Sequence, residues 1–83
     1  MADVTEKDVL EAIQSALELE DGQLGLDSSM ENLDIWDSIG HLSILTNLDQ
    51  IFEGKVAGIQ ELATATSVQK VLEILRENTL IDG

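Results

Sequence analysis

The sequence predicts an all-α fold, a small four-helix bundle of three long helices and one short with a long first loop, and three observations carry that expectation. Apolar residues recur at three-and-four spacing in three separate segments, which is the pattern of helices that each bury one face. A residue able to cap free backbone N–H groups precedes each segment: Thr5, Asp37, and then Thr66 or Ser67. The third observation is size. At 83 residues and 43% apolar composition the chain makes a single domain, residues 1–83, near the lower limit for a self-sufficient core. Helical segments of this length joined by loops can satisfy their apolar faces only against one another.

The first helix is expected over residues 4–19. Thr5 with Asp8 three residues on makes a variant capping box, and Val4 and Val9 take the two positions of a hydrophobic staple. Val9, Leu10, Ile13, Ala16 and Leu17 supply the core face, with Glu6, Lys7, Glu11, Gln14 and Glu18 outside it, and Glu20-Asp21-Gly22 as the stop. Residues 21–37 then form a connection longer than most helix-to-helix loops. Leu24, Leu26, Met30, Leu33 and Ile35 are too many apolar residues to leave in water, so this loop should lie across the bundle, with a single turn over residues 29–33.

The second helix is expected from Ser38 to about Glu53, stopped by Gly54. Ile39, Leu42, Leu45, Leu48 and Phe52 follow the spacing of a buried stripe, flanked by Ile44 and Ile51. Residues 59–63 make the short third helix. Thr66 or Ser67 caps the last one, with Gln69 able to complete a box from Thr66. Val68, Val71, Leu72 and Leu75 make its buried face, and Arg76 suits the negative pole of its dipole.

The formal net charge of −13 argues against nucleic acid or an anionic membrane as partner and for basic protein surfaces. Self-repulsion of this size predicts stability that rises with salt, read as a melting temperature against ionic strength. No cysteine is present, so there is no disulfide framework or zinc-thiolate site, and any thioester chemistry must come from an added group. Met1-Ala2-Asp3-Val4 carries no basic or apolar leader pattern, and no apolar run reaches the length of a membrane span. A cytoplasmic monomer is expected.

Chemistry concentrates in Trp36-Asp37-Ser38-Ile39-Gly40-His41-Leu42. With Asp37 as cap, Ser38 falls in the first turn beside unpaired N–H groups and the positive end of the dipole, a setting that favours an anionic phosphoester on its hydroxyl. Ser38 and His41 share a helix face and invite a hydrolase reading, but the acid sits beside the serine as a cap and Trp36 replaces the first glycine of a nucleophile elbow. A calcium loop fails as well, since Leu26 or Asn32 stands where its glycine is required. His41 reads as a surface or partner-contact residue, and alone is a poor metal site. Trp36 reads either as a cover on the core edge or as part of a surface that a modifying enzyme recognises. Gly40 is either a tolerated glycine or a place where something approaches the backbone. Ile39 and Ile44 are core or docking contacts.

The string WDSIGHL, in a short acidic chain with helical patterns on both sides, resembles the Asp-Ser-Leu/Ile motif of the acyl and peptidyl carrier proteins. The resemblance implies an acyl-carrier-like bundle in which Ser38 carries 4′-phosphopantetheine, taken from coenzyme A by a phosphopantetheinyl transferase. It also implies that Ile39 contacts partners, that the protein is not itself an enzyme, and that an acyl- or aminoacyl-activating ligase and an accepting synthase or transferase work with it. Leu33 is similar to the leucine that ends the family's first loop, but its spacing to Ser38 is one residue longer than in the fatty-acid carriers. The second helix is also less acidic than theirs, so docking is expected to lean on Glu31, Asp34, Asp37 and apolar contacts. The chain therefore resembles free-standing carriers of specialised pathways. The competing expectation is a small acidic helical adaptor that binds basic partners without a cofactor.

Overall fold

The computed structural model describes residues 4–20 and 22–81, so the readings placed on Met1 to Asp3 and on Asp21 lie outside the described residues. Within them the architecture is all-α: α1 (Glu6–Ala16), α2 (Ser38–Ile51), a 3₁₀ turn (Gln60–Thr64) and α3 (Val68–Glu77), with a long loop between α1 and α2. The short third helix of the sequence reading is this single 3₁₀ turn. The radius of gyration, 11.5 Å, is close to the roughly 12 Å of a collapsed chain of this length, so the loop is folded onto the helices.

The start of α1 follows from its box. The Asp8 N–H donates to Thr5 Oγ1 at 3.3 Å, and the Thr5 N–H donates to Asp8 Oδ2 at 3.0 Å. The end differs from the expected one. Glu18 turns to φ +56°, its N–H donating to the Ser15 carbonyl while the Leu19 N–H donates to that of Gln14, which closes the helix at Ala16. The same pair of bonds ends the other two helices, with Glu53 (φ +55°) after α2 and Thr79 (φ +56°) after α3. Glu53 thus takes the left-handed position, ahead of Gly54 (φ +86°). Left-handed backbone disfavours any residue with a Cβ, so three termini accept a strain on the order of 1 kcal/mol each to satisfy their last carbonyls.

The core joins Val9, Ile13 and Leu17 of the α1 segment, Ile44, Leu48 and Phe52 of the α2 segment, and Val68, Val71, Leu72, Ile74 and Leu75 of α3. Each such side chain contributes about 1.5–3 kcal/mol by leaving water. Across this core runs the loop, with Leu24, Met30 and Leu33 half-buried against it and Trp36 fully buried, while Leu26 and Ile35 stay exposed. Two backbone bonds pin the loop to the start of α3, Met30 N–H to the Thr66 carbonyl at 2.9 Å and Val68 N–H to that of Ser28 at 3.0 Å. The turn over residues 29–33 forms, with the Leu33 N–H donating to the Ser29 carbonyl at 3.0 Å. No helix among the described residues is long and apolar enough to cross a membrane.

Candidate functional site

The loop delivers the chain to α2 through two tight turns, Trp36 N–H to the Leu33 carbonyl and Asp37 N–H to that of Ile35, both at 3.0 Å. Asp37 is extended (φ −106°, ψ −168°) and its carboxylate accepts the Gly40 N–H at 2.8 Å, the expected cap. Ser38 is therefore the first helical residue, and it is exposed. Its N–H and that of Ile39 come before the first intrahelical donor, so the hydroxyl sits at the positive end of the helix.

Beside Ser38 the surface is apolar. Ile39 is 76% exposed and Leu42 63%, the two most open of the large apolar side chains among the described residues. This corrects the register read from sequence, which put both in the buried stripe. The face that packs is His41, Ile44 and Leu48. Leu42 was missed as a surface residue, although its spacing of four from Ser38 places the two on one face.

The burial of His41 is a second correction, because it was read as a surface or partner-contact residue, whereas Trp36 takes the core-edge position that was one of its two readings. Trp36 is 1% exposed and His41 7%, with ring centroids 6.2 Å apart and planes 17° from parallel. Trp36 Nε1–H donates to His41 Nδ1 at 3.2 Å, and His41 Nε2 lies 2.8 Å from the Leu62 carbonyl. An indole nitrogen can only donate and a carbonyl can only accept, so these two bonds select the Nε2–H tautomer. The imidazole spans the bundle from the loop to the 3₁₀ turn. With both nitrogens engaged it has no lone pair to offer Ser38 as a base. Ile44 is fully buried and belongs to the core.

Gly40 is a place of close approach to the backbone, as one of its two readings had it, but not by a prosthetic arm or a partner enzyme. A Cβ there would lie 2.7 Å from the Ile35 carbonyl oxygen and 2.8 Å from Leu17 Cδ2. What approaches the backbone is the chain's own loop and the end of α1. Glu31, Asp34 and Asp37 are all exposed ahead of Ser38, giving the site an acidic approach. Among the described residues no group of three or more His, Asp or Glu is placed to hold a metal ion.

The site thus presents one hydroxyl at a helix N-terminus, two open apolar side chains and three carboxylates, with the buried, hydrogen-bonded Trp36–His41 pair behind. That arrangement can receive a substituent and be gripped around it. Comparison with known protein families, with curated proteins and with solved structures finds no significant match.

Proposed function

We propose that this protein is a carrier whose Ser38 holds 4′-phosphopantetheine. One observation carries the reading: the one hydroxyl in WDSIGHL is that of Ser38, and it is exposed at the first position of a capped helix with Ile39 and Leu42 open beside it. The order of elements, with a long first loop and a short third element, is that of the acyl carrier proteins the motif resembles, and supports the same reading. In the attachment step a bond forms between Ser38 Oγ and the pantetheine-bearing phosphorus of coenzyme A. The pyrophosphate bond breaks, the nucleotide portion leaves, and the serine proton passes to the transferase.

The residues present suit the group. The Ser38 and Ile39 N–H groups and the helix dipole favour its phosphate charge. When bound, the group supplies a flexible thiol that holds acyl or aminoacyl cargo as a thioester. The chain contributes the anchor, the apolar pair and acidic approach for a basic transferase, ligase or accepting synthase to grip, and a frame that keeps Ser38 outward.

Intact mass after incubation with coenzyme A and a promiscuous phosphopantetheinyl transferase tests this. One arm is expected on the wild type, one on Ser67→Ala, and none on Ser38→Ala. The adaptor reading draws on the same acidic surface and predicts no gain in any of the three. No gain on the wild type overturns the carrier reading.

A further inference from the structure

A groove of about 510 Å³ lies between α2 and the segment leading into the 3₁₀ turn, walled by Leu42, Leu45, Val56, Ile59 and Leu62. Asp49 also lines it. The Oδ1 atom of Asp49 is buried and has no hydrogen-bond partner among the described residues. A carboxylate oxygen withdrawn from water without a replacement donor is costly, and such an atom in a native fold calls for something that donates to it. None of the residues lining the groove is a cation.

The groove is also aligned with the candidate site. Ser38, Leu42, Leu45 and Asp49 stand at i, i+4, i+7 and i+11 of α2 and so share one stripe of its surface. At 1.5 Å rise per residue Asp49 lies about 16 Å along the axis from Ser38. A phosphopantetheine tether of about fourteen bonds, at roughly 1.2 Å of reach per bond, extends to about 17 Å. Its far end and the unpartnered carboxylate are therefore at matching distances.

We infer that this groove takes a short aliphatic cargo bearing an amine, an aminoacyl group, whose ammonium donates to Asp49 while its carbons lie against Leu42, Leu45 and Leu62. An ammonium is favoured over a neutral donor because a bond between two charged groups is the stronger, and because the −13 chain attracts cations. An acyl chain without a donor would fill the same apolar wall and leave Oδ1 unanswered. The inference rests on the carrier reading for delivery of the cargo, but the groove's preference for an amine does not.

That preference is tested on the isotope-labelled protein by titrating free butylammonium, butanol and butyrate and following by NMR the Asp49 carboxylate carbon and the methyls of Leu42, Leu45 and Leu62. Butylammonium is expected to move all four at a concentration at least roughly tenfold below that of butanol, as a hydrogen bond to a charged group implies. Butyrate should move none of them. In Asp49→Asn, which keeps shape and loses charge, the two ligands should come within about twofold of each other. Equal potency of butylammonium and butanol on the wild type overturns the inference. So does an ammonium response spread evenly over Asp49, Glu53 and Asp34, or one that sodium reproduces, since either is only a cation atmosphere. A protein that refuses the arm yet prefers the amine keeps this groove and loses the carrier reading; one that takes the arm and shows no preference does the reverse.

Discussion

At the start of α2 the Asp37 carboxylate accepts the Gly40 N–H at 2.8 Å, and at the start of α3 the Ser67 hydroxyl accepts the Lys70 N–H at 3.1 Å. The two termini are built alike, each with a short polar cap and a serine within the first positions. Their surroundings are opposite. The loop closes over α3, donating from Met30 to the Thr66 carbonyl and accepting from Val68 at that of Ser28, and Val68 is fully buried. Over α2 the same loop turns in early, burying Trp36 and leaving Ser38, Ile39 and Leu42 in water. A cap is enough to begin a helix. Whether that beginning can act on anything outside depends on what the loop leaves uncovered.

The strongest way to break this contrast is to trim one apolar residue at each start. Val68→Ala is expected to cost about 2–3 kcal/mol, from lost burial and the cavity left behind, whereas Ile39→Ala should stay within about 0.5 kcal/mol. Urea unfolding measures both, and similar losses would mean that Ile39 is not open as described. Next comes the third helical position. Gly40→Ala should destabilise by about 1–3 kcal/mol through its contact with the Ile35 carbonyl, even though alanine favours a helix over glycine by about 1 kcal/mol. Lys70→Ala, at the matching place in α3, should be nearly neutral. A Gly40→Ala protein as stable as the wild type would show that the loop can give way.

A smaller effect probes the frame behind Ser38. Trp36→Phe leaves His41 Nδ1 buried without its donor and is expected to cost about 1–2 kcal/mol by thermal unfolding. If the bond is what matters, Trp36→Phe combined with His41→Phe should cost less than the two single changes added together. Last, Asp37→Ala and Ser67→Ala should each lose about 1 kcal/mol. Equal values would show that the caps do the same job and that the difference between the two ends comes from the loop. A much larger loss at Ser67 would assign part of the seal to its side chain.

Local signals were legible in the sequence wherever one residue type had one partner a fixed distance away. Thr5 and Asp8 formed their box, Asp37 capped α2, and Val68, Val71, Leu72 and Leu75 of α3 were buried together because the polar residues among them allow only one apolar face. Gln69 did not complete a box, since Ser67 rather than Thr66 took the cap. The phase of α2 was not legible. Its apolar residues are spread around the helix, so Ile39, Leu42 and Leu45 made as regular a stripe as the one that packs, and only the path of the preceding loop decides between them. His41 was misread for the same reason: a histidine looks polar until a tryptophan five residues earlier folds back to donate to it. The serine, its cap and the proposed contact role of Ile39 could be found from the string and its resemblance, while the exposure of Leu42 and the unpartnered Asp49 needed three dimensions. The end of α1 was also hidden, because nothing in the string marks Glu18 for left-handed backbone.

The close approach at Gly40 keys the whole helix in rotation. Because the Ile35 carbonyl leaves no space for even a methyl at that point, only one residue of the segment can occupy it, and the angular setting of every other residue follows. Slipping the chain by one residue would bring an imidazole ring into a gap that excludes a single carbon and swing Ser38 round the axis by about 100°. The glycine thus works as an indexing notch, setting which way the serine points although it touches neither the serine nor anything the serine would bear.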